Sequence, residues 1–300
     1  MIKRIFNLLN RVYNKSSIEK CNTITWPSGL QYTDIYPVKR FRSYNMLNKA
    51  GRFVMRGQHG NKQIKIVEAA TSKHATFIRS LSSYKRICQF LPRINDQNHQ
   101  FLVTEWVSGI AMEELLNRSH GNDMLMDLAS LQLYFHEIPA YELPDPEFDY
   151  WYDLIRPRFL RAIELLGLIK IYEDKIIAID NLWESSTHVL MHPDLTPTNI
   201  VYTISGNMVV IDNELLTVGG IPLIDVCNTV YALGQLRGQI YANLYLNRLD
   251  IVPSVEELTI LQAMWLARMV GSNFVAGRLR RVNDILLRFK EGENILPWFI

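Results

Sequence analysis

The sequence predicts an α+β fold of two lobes, a small β-rich N-lobe followed by a larger helical C-lobe. Three observations carry that prediction. Short β-like runs separated by turns crowd residues 21–110. Beyond Gly109 the apolar spacing becomes helical for most of the remaining chain. A single compact β island, residues 188–212, interrupts those helices. The joint falls near residues 104–109, which gives an N-terminal helix over 1–20, an N-lobe over 21–107 and a C-lobe over 108–300.

A chain of 300 residues buries on the order of 75% of its unfolded surface, so no metal or disulfide is needed to fold it. Hydrophobic residues make up 48% and charged residues 21%, which excludes a disordered, collagenous or coiled-coil chain. The formal net charge is +2 and no basic stripe is present, which argues against nucleic acid as a partner. The three cysteines, Cys21, Cys88 and Cys227, are widely spaced and form no Cys-x-x-Cys pair. That usage favours a reducing, cytoplasmic setting over a disulfide framework or a zinc site. No run approaches 18 apolar residues, so no membrane-spanning helix is expected.

In the stretch MIKRIFNLLNRVYNK, Ile2, Ile5, Phe6, Leu9, Val12 and Tyr13 share one helical face. The apolar core is too interrupted for a secretory signal. Two readings stay open: a basic amphipathic helix in peripheral contact with an anionic membrane through residues 1–15, or the commoner case of a helix packed on the body. Next, Arg52–Gly57 and Gln63–Glu68 flank Gly57-Gln58-His59-Gly60 and predict a hairpin. A helical stretch follows at 72–90 and ends before Pro92; the run FLVTEWV at 101–107 then reads as a strand closed by Ser108-Gly109. Helices are expected at 111–118, 122–137, 149–170, 174–184, 225–247 and 254–290.

The β island carries the chemistry. It reads HVLMHPDLTPTNIVYTISGNMVVID from His188 to Asp212. If Ser205-Gly206 forms a two-residue turn, every cross-strand pair sums to 411. Asn199 and Asp212 then face each other at the open end, with α-carbons about 5 Å apart. Two oxygen-bearing side chains side by side suit a hard divalent cation such as Mg²⁺, which takes one or two protein ligands plus phosphate oxygens. Asp194, in a loop stiffened by Pro193 and Pro197, is placed to meet a substrate hydroxyl beside that metal, and the arrangement points to phosphoryl transfer.

The pattern His192-Pro-Asp194-x-x-x-x-Asn199, followed by Ile211-Asp212, resembles the catalytic and metal loops of the protein-kinase-like fold. More narrowly, MHPDLTPTNIVY…VVIDNE resembles the aminoglycoside phosphotransferase and choline kinase family. The resemblance implies an ATP- and Mg²⁺-dependent phosphotransferase. In it Asp194 is the base that takes the acceptor's hydroxyl proton, Asn199 and Asp212 hold the magnesium on ATP, and His192 supports the loop. It further implies that the backbone of Glu105, Trp106 and Val107 binds adenine at the hinge. Lys65 would pair with ATP phosphates, which makes the N-lobe the nucleotide-binding part. Asp225, in Pro222-Leu-Ile-Asp-Val, matches the acidic residue that braces the catalytic loop. FHEIP, ending in His136 and Pro139, resembles the family's Leu-His-x-x-Pro helix end. The acceptor class implied is a small-molecule hydroxyl on a sugar, amino-sugar or amino-alcohol.

The chain departs from that family in three places. Pro193 stands where glycine is usual, Gly51 is the one obvious glycine of the phosphate-covering loop, and the stretch 72–90 has no Asp or Glu to pair with Lys65. The last point favours a rival reading, a pseudokinase serving as an interaction module; intact Asp194, Asn199 and Asp212 argue against it. A third reading is a kinase of a protein or membrane-linked glycan, brought to its substrate by the N-terminal helix. The interleaved acidic and aromatic residues of 141–153 suit a cationic or sugar-like acceptor, but fit a solvated loop and a packed helix start better.

Overall fold

The computed structural model describes residues 21–25, 31–37, 54–68, 71–92, 94, 101–117, 121–251 and 253–297. The expected N-terminal helix and the Gly51 loop lie outside them. The chain divides into two compact units, Met1–Ala75 with Arg93–Trp106, and Thr76–Pro92 with Val107–Ile300.

The first unit contains an antiparallel sheet in sequential order: β1 (Cys21–Thr25), β2 (Gln31–Pro37), β3 (Val54–His59), β4 (Lys62–Glu68) and β5 (Phe101–Glu105). The β3–β4 hairpin forms, but its strands run on to a His59–Lys62 pair, so the turn is Gly60-Asn61 rather than the longer loop expected. Gly60 adopts φ 57°, the left-handed conformation that a tight hairpin turn asks of its first residue. Ile64 and Ile66 are buried on one face of β4, and alternation puts the half-buried Lys65 on the other. Lys65 stands across from Arg56 and Thr104.

The second unit is mostly helical. Its helices are α1 (Ser72–Ser83, whose first turn clusters with the sheet), α2 (Met112–Leu116), α3 (Gly121–His136), α4 (Arg156–Leu165), α5 (Ile169–Ser185), α6 (Leu223–Arg237), α7 (Gln239–Leu249), α8 (Val255–Val275) and α9 (Leu279–Lys290). Several helical runs are shorter than the periodicity predicts, whereas the one expected at 174–184 is longer, Ile169–Ser185. The stretch 72–90 ends at Ser83 and resumes as a short 3₁₀ turn at Cys88–Phe90. The expected 225–247 and 254–290 helices each break in two, at Gly238 (φ 82°) and Gly277 (φ 71°). Apolar spacing continues across both glycines, but only their backbone can reverse hand to end a helix there. A π-helical turn, Tyr150–Ile155, opens α4. In it Tyr150 and Trp151 are buried and belong to the core with Trp183 and Trp265, so the aromatic residues of this turn are packing, whereas Tyr141 is exposed.

Two small sheets hold the β island in place. β7 (Val189–Met191) pairs with β10 (Thr217–Gly219), and β8 (Ile200–Thr203) lies between β6 (Gly109–Ala111) and β9 (Met208–Val210). Gly109 is required: a Cβ there would lie 2.1 Å from Tyr202 O.

Candidate active site

The β8–β9 register differs by one residue from the expected one. Ile200 pairs with Val210 and Tyr202 with Met208, so pairs sum to 410. The turn holds three residues, Ile204-Ser205-Gly206, with Gly206 at φ 80° and Thr203 N donating to Asn207 O. A three-residue turn ending in a left-handed glycine is the usual alternative to the two-residue turn. At the open end Asn199 therefore faces Ile211, whose N–H donates to Asn199 O at 2.7 Å, and Asp212 lies one residue beyond.

Asp212 leaves the ladder in the left-handed region (φ 60°, ψ 47°), and a short 3₁₀ turn, Asn213–Leu215, follows. This conformation is uncommon for a residue with a Cβ, though Asp tolerates it better than most, and such strain gathers at functional sites. The Asp212 residue is 4% exposed. On the other side, the catalytic loop is folded by Leu195 N donating to His192 O and Thr196 N to Asp194 O. It closes in a 3₁₀ turn, Pro197–Asn199. Asn199, 2% exposed, donates its Nδ2 to Asp194 O (2.9 Å) and to Asp194 Oδ2 (3.0 Å). Expected base and expected metal ligand are thus directly linked. With its nitrogen on Asp194, Asn199 has Oδ1 as the atom a cation would take.

Burial and hydrogen bonding fix His192. Asp194 N donates to its Nδ1 (3.3 Å), so Nε2 carries the proton and donates to Asn213 Oδ1 (3.0 Å). The Asn213 amide is oriented in turn by Nδ2 donating to Val210 O (2.8 Å). A neutral imidazole therefore ties the loop of Asp194 to the turn that follows Asp212. Burial pushes its pKa below the ordinary 6.5, outweighing the opposing pull of Asp194, Asn213 and Asp225. The sign follows directly. Below pH 6.5 the unfolded histidine takes up a proton that the folded one refuses. Stability is thus full above 6.5 and falls as pH drops below it, by at most about 1.4 kcal/mol per pH unit. Thermal melts between pH 7.5 and 5.5 should show this slope in the wild type and lose it in His192→Gln; parallel slopes would refute it.

Asp225, fully buried at the start of α6, accepts from His192 N (3.1 Å, Oδ2) and from His136 Nε2 (2.9 Å, Oδ1). One turn later Thr229 Oγ1 donates to Leu195 O (2.6 Å). α6 therefore grips the catalytic loop through Asp225 and Thr229, and His136 joins it from the end of α3. Asn213 stands inside the stretch VVIDNE but had no role assigned from sequence, and Thr229 had no signal because it sits in no motif and acts across a long separation.

The nucleotide-site residues expected in the sheet lie in the first unit, apart from Val107. Glu105 accepts an ion pair from Lys62 Nζ at 2.6 Å. Trp106 donates its backbone N–H to Gln63 O and stacks under Arg56, whose Cζ is 4.2 Å from the ring. Among the described residues no group of three or more His, Cys, Asp or Glu side chains could hold a metal. The pair Asp212 and Asn199 still fits magnesium, which takes hard oxygen donors and as few as one or two from protein.

No curated protein matches the chain in sequence. Solved structures do match its fold. An aminoglycoside-3'-phosphotransferase of type VIII superposes with TM-score 0.52 at 16% identity, covering 86% of this chain and 97% of that one. A Plasmodium vivax ethanolamine kinase gives TM-score 0.55 at 13% identity, covering 89% and 83%. A ternary complex of streptomycin, ATP and APH(2")-IIa gives 0.52 at 14%, covering 95% of each chain. The fold is accordingly the α+β, protein-kinase-like one, with a small β-rich part and a larger helical part. A family model described as "Phosphotransferase enzyme family" matches residues 86–257. That span is more than half of the chain and takes in every loop residue from His136 to Asp225, and on it the chain belongs to the phosphotransferase enzyme family.

Proposed function

We propose that the protein transfers the γ-phosphoryl group of ATP to a hydroxyl of a small molecule, a sugar, amino-sugar or amino-alcohol. The observation that carries this reading is the Asn199 amide held on both the main chain and the carboxylate of Asp194, which fixes the base beside a metal ligand. The acceptor hydroxyl gives its proton to Asp194. Its oxygen bonds to the γ-phosphorus as the bond to the β–γ bridging oxygen breaks, and ADP keeps that electron pair. Asn199 and Asp212 are the residues that would hold Mg²⁺, and the chemistry a bound magnesium supplies is neutralisation of phosphate charge. Residues 21–107 form the nucleotide-binding part, with Lys65 on the phosphates and the backbone of Glu105, Trp106 and Val107 on adenine; residues 108–300 carry the catalysis. No helix among the described residues is long and apolar enough to cross a membrane, and Cys88 and Cys227 are free thiols, which suits work in the cytoplasm.

Thermal unfolding with and without Mg·ATP tests this. Nucleotide at a hundred times its dissociation constant should add about 2.7 kcal/mol of stability, and Asp212→Ala should abolish the magnesium-dependent part. Absence of any shift at millimolar nucleotide would favour the non-catalytic interaction module, to which the lack of acidic residues in 72–90 also points.

A further inference from the structure

Three fully buried side chains with polar ends, Gln132, Tyr245 and Thr229, stand behind the grip of α6 on the catalytic loop. Gln132 on α3, one turn before His136, meets Tyr245 of α7 and Thr229 of α6. One end of the Gln132 amide lies 3.1 Å from His136 Nε2. The other end lies 3.1 Å from the Tyr245 hydroxyl and 3.3 Å from Thr229 Oγ1. Thr229 Oγ1 in turn reaches the carbonyl of Leu195, next in the chain after Asp194, at 2.6 Å. It also has the Asp225 carbonyl, one helical turn back, at 3.1 Å.

The supply of protons fixes which way the Gln132 amide points. His136 Nε2 has a single proton, and it goes to Asp225 Oδ1 at 2.9 Å. An amide N–H aimed at the same nitrogen would find no lone pair, so Gln132 meets His136 with its oxygen. Its NH2 then faces Tyr245 and Thr229, whose hydroxyl oxygens can both accept. Thr229 also has one proton. With an N–H of Gln132 on its oxygen, that proton is left for Leu195 O. Without that N–H the hydroxyl is free to turn to the Asp225 carbonyl, the bond that a helical threonine makes to its own helix. A polar network satisfied in this way adds little stability over apolar side chains of the same shape, but it specifies one arrangement. Here the arrangement specified is the position of the Leu195 carbonyl, one peptide from the base.

We propose that Gln132 and Tyr245 are positioning residues for phosphoryl transfer: they aim the Thr229 proton at Leu195 O and so hold Asp194 where it takes the acceptor's proton. This rests on the phosphotransfer reading above. It adds to that reading two residues, on α3 and α7, that touch none of the reacting groups.

The test uses the full chain and Mg·ATP with water as the acceptor. Water gives a proton to Asp194 and its oxygen bonds to the γ-phosphorus as ADP leaves with the electron pair of the broken bond. Gln132→Met, Tyr245→Phe and Thr229→Val should each lower kcat for ADP release roughly tenfold to a hundredfold. The KM for Mg·ATP should stay at its wild-type value. Thr229→Ser, which keeps the hydroxyl, should fall closer to wild type than Thr229→Val. The double variant Gln132→Met/Thr229→Val should be no slower than Thr229→Val alone, because Gln132 acts through Thr229. Hydrogen exchange reads the same loop without turnover. The Leu195 and Thr196 amides, bonded to His192 O and Asp194 O, should exchange faster in Gln132→Met and Tyr245→Phe, while the buried amides of α8 keep their protection. The proposal is overturned if both substitutions lower only the melting temperature, with kcat and the exchange of these two amides at wild-type values. It is also overturned if KM rises in place of the fall in kcat, or if the effects of the double variant add. Should Gln132→Met fail to fold, Tyr245→Phe, which keeps the ring, decides by itself. Failure of the phosphotransfer reading shows separately, as a wild type with no response to Mg·ATP in melting temperature or ADP release; loop exchange then still decides whether Gln132 and Tyr245 hold the loop.

Discussion

Asp194→Ala is expected to lower phosphoryl transfer by about 10²–10⁴ while leaving Mg·ATP binding close to wild type. The loss is that of a positioned base, since no other carboxylate of the catalytic loop can take the acceptor's proton. The binding half of the prediction comes from the main chain. Asn199 Nδ2 donates to Asp194 O as well as to its carboxylate. The first of these bonds survives truncation at Cβ, so Asn199 keeps its place next to Asp212. An ADP-release assay run beside nucleotide-dependent thermal unfolding separates the two effects. Full turnover in the variant would show that Asp194 is not the base, and loss of both together would show that it holds the metal loop instead.

Asp225→Ala is expected to destabilise the protein by about 3–5 kcal/mol, the range for removing one partner of a buried polar pair. Asp225 is fully buried and takes one hydrogen bond on each oxygen, from His192 N and from His136 Nε2. Truncation strands the buried His192 N–H and takes from the half-buried His136 its acceptor. Asp225→Asn should be milder, because the amide oxygen can still accept one of them while its nitrogen faces the other as a second donor. Denaturant midpoints for the three proteins should fall in the order wild type, Asn, Ala. An Ala variant with a wild-type midpoint would remove Asp225 from the support of the loop.

Much of this arrangement was legible in the sequence because it is local. The spacing His192, Asp194, Asn199, with Asp212 after the next two strands, is set by a loop and one hairpin, and Asp225 follows closely. Two things were not legible. Ser205-Gly206 serves a two-residue turn or the end of a three-residue one equally well, so the register came out one residue from the expected value. Convergence over long separations was also hidden. His136 meets Asp225 across 89 residues, and Arg281 meets Tyr231 across 50. Apolar spacing likewise ran through Gly238 and Gly277, because the core accepts the same side chains on both sides of a break.

The order in which these links can form in a folding chain is a consequence of their spacing. Asn199 reaches Asp194 over five residues and His192 reaches Asn213 over 21, whereas the link from His192 to Asp225 spans 33 and that from His136 to Asp225 spans 89. Closing a longer loop costs more entropy, though only slowly with length, and local contacts assemble faster. Asp194, Asn199, Asp212 and their imidazole tie can therefore come together within one nascent hairpin, before either histidine is clamped from outside. Pulse-labelled hydrogen exchange during refolding would then protect the Ile211 amide ahead of the His192 amide.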